Sequence, residues 1–307
     1  MGNVLKSITI ITLTYKNLEE LSKTLRSVFS QDFCNVSNVQ YIIADDGTEG
    51  FDGDAVSNSV SSIKGCNSSD VELLVYSNGL NIGTVKSFNK AIEKSTGDII
   101  IPLSCGDEFE CANSVKEIVK SFENTNAPII TGYRKIVNDE EVIGIAPSKG
   151  LVNLFRPGNE SKLLKYISVQ GNIISGASTY YSRQFLKKIG GFDEAFRLLE
   201  DYPIYLKALN EGYRIEFIEK VLMRHSTGGV SDVSSPANVL LDEDYEILNQ
   251  WILNNLDLSF FERRLFKFLR LKPKKGRYSI WNISRFPDCF LYWVVKRSAS
   301  KVLVAEF

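Results

Sequence analysis

With one histidine and five cysteines in 307 residues, the chain has little of the usual raw material for metal or disulfide frameworks. The cysteines, at 34, 66, 105, 111 and 289, are odd in number and show no CxxC spacing. Together with the lone His225 they support neither a disulfide scaffold nor a Cys/His zinc site. Wholly apolar runs are short, as at Phe290 to Val295, whereas a spanning helix needs ~20 apolar residues. The N-terminus enters a strand-like SITIITLTY at Ser7 without a basic region, a long apolar stretch or a cleavage site. No secretory signal is read there, and a cytoplasmic location is expected. No GxGxxG follows the first strand and no GxxxxGK[ST] occurs, so dinucleotide and P-loop readings lose their main support.

What is present is ordinary for a globular protein: 44% hydrophobic and 24% charged residues, which excludes collagen-like, disordered and coiled-coil classes. The length allows one large domain or a catalytic domain with an appendage. The net charge of −1 conceals an asymmetry. Ser259 to Lys301 holds twelve Lys and Arg against Glu262 and Asp288, so that stretch carries +10 and the rest of the chain −11. Two parts of such opposite charge face different partners.

The first hundred residues alternate strand and helix. Residues 7–15 read as a strand, and Leu18, Leu21, Leu25 and Val28 then fall at helical spacing. VQYIIADDG is an apolar strand ending in Asp45-Asp46-Gly47, and a polar stretch to Asp70 has room for a helix and loop. VELLVYS, a turn over Gly79–Gly83, a helix carrying Val85, Phe88, Ala91 and Ile92, and the strand DIIIPL complete the half. This order predicts a parallel sheet covered on both faces, a Rossmann-like nucleotide-binding half. Ligands of such sheets bind beyond the carboxyl ends of the strands. Polar residues gather there: Thr14 and Tyr15, Asp45 and Asp46, Asn81 to Lys86, and Ser104 to Glu108. Solvation alone accounts for any one polar loop, but less easily for four on one rim.

The second half is less regular. Residues 128–146 read as two strands around Asn138-Asp139, and 163–182 contain the Gly-rich GNIISGASTYYS. A helix from Arg183 leads to Gly190-Gly191-Phe192-Asp193; Glu200-Asp201 opens another, with Pro203 tolerated near its first turn; and a strand ends at His225.

These segments resemble the GT-A glycosyltransferases of family 2, which move a sugar from a nucleotide diphosphate to an acceptor with inversion. The resemblance rests on ITIITLTYKN with TLRSVFSQ, YIIADDG, NIGTVKSFNKAI with TGDII, LSCGDEF, GASTYYSRQFLKKIGGFDE, LEDYPIYLKALNEGY and RHSTGGVS, in family order from about Ser7 to Ser231. LSCGDEF and STGGVS look most like the bacterial O-antigen, capsule and colanic-acid branch of surface-polysaccharide and lipopolysaccharide synthesis.

The resemblance implies a site. Asp45 and Asp46 would contact base and ribose, where a carboxylate accepts from uracil N3–H or ribose hydroxyls; the alternative is turn formation before Gly47. Thr14 and Tyr15 would pack on the base, with Asn81, Gly83 and Lys86 near the diphosphate. The position aligned with a frequent family Arg is Phe88. A divalent cation, Mg²⁺ or Mn²⁺, would neutralise the departing diphosphate. The Asp-rich motif reads Ser104-Cys105-Gly106-Asp107, so Asp107 is the expected ligand, joined by His225, whose alternative role is packing. Ser104 and Gly106 would line the donor. Glu200-Asp201 matches the family's ED motif: Asp201 would be the general base and Glu200 would orient the acceptor, while an N-cap with an acidic first turn explains the pair equally well in isolation. Gly228-Gly229 would form a loop closing over the donor.

In the basic stretch Arg and Lys interleave with Phe260, Phe261, Phe266, Phe268, Tyr278, Trp281, Phe286, Phe290, Tyr292 and Trp293. A membrane interface, packing on the catalytic domain or a second subunit, and nucleic acid each suit that composition. No nucleic-acid motif accompanies it, so no nucleic-acid partner is expected. The expectation is a GT-A domain over 1–235, divided into a nucleotide-sugar half (1–108) and a mixed-sheet acceptor half (109–235), then a helical tail (236–307) peripheral on the inner face of the plasma membrane. The partners expected are a UDP-hexose, UDP-galactose or UDP-glucose first, and a polyprenyl-diphosphate-linked glycan. dTDP-rhamnose or GDP-fucose as donor, and a non-catalytic nucleotide-binding module, are the alternatives.

Overall fold

The computed structural model describes residues 6–64, 71–138, 141–227, 238–270 and 278–304. The Gly228-Gly229 loop lies outside the described residues. One mixed sheet of nine strands organises the molecule. Its first half is β1 (Ile8–Thr14), β2 (Val39–Asp45), β3 (Val71–Ser77) and β4 (Ile99–Pro102), all parallel in the order β3-β2-β1-β4. β1 and β2 are buried along nearly their whole length because both faces are covered, with Thr9, Thr12 and Gln40 buried among the apolar residues. Ile10, Tyr41 and Ile43 pack with α1 (Leu21–Phe29) and α2 (Gly53–Lys64), while Ile11 and Ile42 pack with α3 (Thr84–Glu93). The helix predicted after Asn17 begins as a 3-10 turn over Leu18–Glu20 before α1 takes over.

Beyond β4 the sheet reverses. β8 (Thr179–Ser182) runs antiparallel to both β4 and β6 (Ile129–Asn138), and β9 (Ile215–Ser226) runs parallel to β6. β5 (Glu108–Phe109) closes the far edge on β9, and β7 (Glu141–Ala146) forms a hairpin with β6. α4 (Ser114–Asn124) covers one face; α5 (Glu160–Gln170), α6 (Arg183–Ile189) and α7 (Asp201–Asn210) belong to the other. Pro203 sits in the first turn of α7, where its missing N–H costs little.

The helices after residue 237 share the core of the catalytic region. α8 (Asn238–Asn255) and α9 (Phe260–Arg270) send Leu248, Ile252, Leu265, Phe266 and Phe268 into the cluster that holds Tyr202, Tyr205 and Leu206 of α7. α10 (Ile280–Arg285) and α11 (Pro287–Val304) follow, with Phe286 and Cys289 buried against α9. The stretch expected as a tail is therefore joined to the domain through its inner face. Its outer side bears Phe260, Ile280 and Trp281, each at least 80% exposed. Among the described residues no helix is long and apolar enough to cross a membrane.

Candidate active site

The four polar clusters of the first half meet at the carboxyl ends of the parallel strands. Asp45 is buried at the end of β2, its carboxylate accepting from Thr14 Oγ1 (3.2 Å), Ser77 Oγ (3.0 Å) and the N–H groups of Gly47 and Thr48 (2.9 and 2.8 Å). Asp46 is buried too; it gathers the loop into α3, accepting from Ile82 N–H and Gly83 N–H (both 3.0 Å), Ser87 Oγ (2.6 Å) and Asn78 Nδ2 (3.1 Å). The turn-forming alternative is the role this geometry displays for Asp45. One of its oxygens keeps a single contact, from Thr14, and so retains capacity to accept. Tyr15 stands exposed at the mouth of the rim, and Lys86 points to solvent from the first turn of α3. Asn81 accepts from Arg197 Nη2 at 3.3 Å, which ties this rim to the second half.

The loop after β4 is folded around Thr24 of α1, whose hydroxyl accepts from Gly106 N–H and donates to the Asp107 carbonyl, both at 2.9 Å. Gly106 has φ +95, a conformation that strains any L side chain. An acidic residue at 106 would therefore be disfavoured in this turn, which accounts physically for one departure from the Asp-rich motif. Ser104 is exposed, and its carbonyl accepts from Asp107 N–H at 3.0 Å. Asp107 is buried and faces His225, with Nδ1 3.0 Å from both carboxylate oxygens; Ser226 N–H donates to the same group at 3.0 Å. β5 and β9 bring the two residues together, pairing Glu108 with Arg224. Among the described residues no three His, Cys, Asp or Glu side chains form a group able to hold a metal ion. Asp107 and His225 thus offer one carboxylate and one imidazole, a set that fits a cation drawing its remaining ligands from substrate phosphates.

In the second half of the sheet, Glu200 caps α7 and Asp201 begins it. Asp201 Oδ2 accepts from Gly176 N–H at 3.0 Å. A Cβ at Gly176 would lie 3.1 Å from that oxygen, so the small residue lets the backbone close on the carboxylate. Burial pushes both carboxyls above the usual carboxylate range, and for Glu200 the neighbouring Asp201 charge adds to the effect. For Asp201 the backbone N–H groups of Tyr202 and Gly176, and the charge of Arg134, oppose it.

Two residues of the helices after residue 237 carry no sign of their role in the sequence. Asp244 of α8 is buried and receives the N–H groups of Arg197 (2.9 Å), Leu198 (2.7 Å) and Leu199 (2.9 Å), the three residues that lead into Glu200. Arg270 of α9 bonds the Tyr202 hydroxyl, immediately after Asp201, and reaches the Ile167 carbonyl at 3.3 Å. Nothing in the spacing of either residue marks it. Arg134 does leave a trace, as a charged residue in the largely apolar PIITGYRKIV.

A parallel-sheet rim suited to a nucleotide, set against an acid pair on a mixed-sheet half, defines a GT-A type of transferase. The profile described as "Glycosyl transferase family 2" matches residues 9–190. The chain belongs to that family and is a glycosyltransferase. Among curated proteins it is similar to the O-antigen chain rhamnosyltransferase WbaN of Salmonella anatum, 25% identical over 142 residues. That match covers 45% of this chain and 44% of WbaN. The uncharacterized glycosyltransferase Rv1514c of Mycobacterium tuberculosis is 22% identical over 240 residues, covering 77% of this chain and 81% of that protein. In fold it resembles residues 1–349 of S. aureus TarS in complex with UDP-GlcNAc (TM-score 0.61, 17% identity, 90% and 74% of the two chains). It likewise resembles the Pyrobaculum calidifontis mannosyltransferase PcManGT in complex with GDP-Man and Mn²⁺ (TM-score 0.61, 14% identity, 99% and 82%).

Proposed function

We propose that the protein transfers one hexose from a nucleotide sugar, with inversion, to a lipid-linked glycan acceptor in bacterial surface-polysaccharide assembly. What supports this reading is Asp201, held by Gly176 N–H, together with the Asp107–His225 pair, both carboxylates being charge neighbours of Arg134. In the proposed mechanism the nucleotide lies on the rim, with Tyr15 against the base and Asp45 and Asp46 holding the loops that Thr14, Asn81 and Gly83 belong to. Lys86, exposed at the start of α3, is available to the diphosphate. A divalent cation, Mn²⁺ or Mg²⁺, would be held by Asp107 and His225, and when bound it offsets the charge of the leaving diphosphate.

The acceptor hydroxyl attacks the anomeric carbon from the face opposite that diphosphate. Asp201 accepts the hydroxyl proton as the new C–O bond forms and the bond to the β-phosphate oxygen breaks. A carboxyl raised by burial but held ionised by hydrogen bonds and a nearby guanidinium is a better base near neutral pH than an exposed one. Glu200, half-buried beside it, holds the acceptor. Phe260, Ile280 and Trp281 on the outer side of the C-terminal helices, within the +10 stretch, suit an anionic bilayer surface where such an acceptor resides.

UDP-galactose and UDP-glucose are the first donors. A deoxyhexose donor such as dTDP-rhamnose is the second reading, supported by the similarity to a protein named a rhamnosyltransferase. The test is a donor screen with UDP-, dTDP- and GDP-sugars and a polyprenyl-diphosphate saccharide, measuring nucleoside diphosphate release. Acceptor-dependent release from one class supports the proposal. Donor binding with no turnover on any acceptor would turn it toward a non-catalytic binding module.

A further inference from the structure

Several buried polar atoms among the described residues find no partner in the protein. Arg134 Nε is buried and makes no hydrogen bond. Its guanidinium lies within charge–charge reach of Asp107 and Asp201, yet neither carboxylate pairs with it; Asp107 pairs with His225 instead. Two more orphaned atoms stand nearby. Ser175 Oγ adjoins the Gly176 that binds Asp201, and the Tyr180 hydroxyl lies within electrostatic reach of Asp107. The strand register agrees with this placement. Ile136 pairs with His225, and Arg134, two residues earlier on β6, falls on the same sheet face.

Buried polar groups in native proteins are almost always satisfied, and an exception asks for an explanation such as a ligand. Unpartnered atoms on Arg134, Ser175 and Tyr180, residues that neighbour Asp107 or Asp201 or the loop that binds them, are what a site lacking its substrate's oxygens leaves. The charge balance says which oxygens. Asp107, Glu200 and Asp201 already bring negative charge around Arg134, so a diphosphate arriving there needs a cation. A planar guanidinium with donors unspent is the side chain best matched to a phosphate.

We infer that Arg134 is a donor-binding residue whose guanidinium takes the β-phosphate of the nucleotide sugar, a fixed positive charge on β6 facing Asp107 of the Ser104-Cys105-Gly106-Asp107 motif. The inference rests on the transferase reading above and deepens it. As the glycosidic bond breaks, negative charge grows on the β-phosphate oxygen, and Arg134 stabilises it without ordering anything new. Because its charge is part of the chain, nucleoside diphosphate binding should persist when divalent ions are removed.

The test is calorimetric binding of UDP, dTDP and GDP, each against its own monophosphate, in EDTA and in Mn²⁺, to wild-type protein, Arg134→Met and Arg134→Lys. The expected result is at least a tenfold loss of diphosphate affinity in Arg134→Met with the monophosphate within twofold of wild type. Arg134→Lys, which keeps the charge but not the fork, should lose less. Melting curves of both variants establish that the affinities are read on folded protein, and Arg134→Lys, which keeps the charge facing Asp107 and Asp201, should melt closer to wild type than Arg134→Met. Equal diphosphate affinity in wild type and Arg134→Met overturns the inference, as does parallel loss of mono- and diphosphate. Absence of any nucleotide binding by the wild type removes the transferase reading itself.

Discussion

Replacing Asp244 by alanine should damage both stability and turnover, although Asp244 belongs to a helix that follows the catalytic region in sequence. Its carboxylate receives the N–H groups of Arg197, Leu198 and Leu199 at 2.7–3.1 Å, and it is 3% exposed. Alanine would leave three donors without an acceptor. At ~1–3 kcal/mol for each unsatisfied buried group, relieved in part by water entering beside the exposed Arg197, the loss is about 2–4 kcal/mol. That is a large share of the ~5–15 kcal/mol that holds a domain together. Urea unfolding of the full chain measures it directly. The same segment aims Glu200 and Asp201, so kcat should fall at least tenfold even in the protein that remains folded. Asp244→Asn keeps one acceptor oxygen and should recover part of both losses. A change below about 0.5 kcal/mol with unaltered kcat would refute the reasoning and return α8 to the status of an appendage.

Glu200→Gln should stabilise the protein at alkaline pH. Burial raises the Glu200 carboxyl, so between its unfolded and folded pKa values the native state holds a proton that the unfolded chain has released. Wild-type stability therefore falls as pH rises through that window, while the glutamine variant does not share the loss. The melting temperatures should coincide near pH 4 and separate by pH 8, by the equivalent of about 1 kcal/mol or more; a difference independent of pH would contradict this. Gly176→Ala places a methyl 3.1 Å from Asp201 Oδ2 and should lower kcat at least tenfold with donor affinity unchanged, read from initial rates and calorimetry on one preparation.

Legibility in the sequence followed the physics of each element. The parallel half was readable because its buried strands are rich in apolar and β-branched residues and their turns carry Asp45-Asp46-Gly47 and Gly83 at the rim. No element was read over Glu160–Gln170, where β-branched Ile167 and Val169 sit in a helix that α7 and α9 cover; tertiary burial there overrides local preference. α4 carries Val115, Ile118 and Val119 at helical spacing and was open to reading. The site was half legible. Asp107, His225, Glu200 and Asp201 stand in recognisable motifs, and the structure brings Asp107 against His225 from positions 118 residues apart. Asp244 and Arg270 act through long-range contacts that leave no local pattern, and Arg134 shows only as a charge in a largely apolar strand. The aromatic residues of the basic stretch divide in a way composition does not reveal: Phe266, Phe268 and Phe286 enter the core, and Phe260 and Trp281 face outward.

The account turns on Asp201 as the base of a sugar transfer, and Asp201→Asn tests it most directly. Asparagine is nearly isosteric and its carbonyl oxygen still accepts from Gly176 N–H, so fold and donor binding should survive. Nucleotide affinity measured by calorimetry should stay within about twofold, while acceptor-dependent release of nucleoside diphosphate should fall by about 100-fold or more, the usual contribution of a positioned base. Transfer at the wild-type rate in a variant that binds donor normally would contradict the assignment of Asp201 and the mechanism built on it.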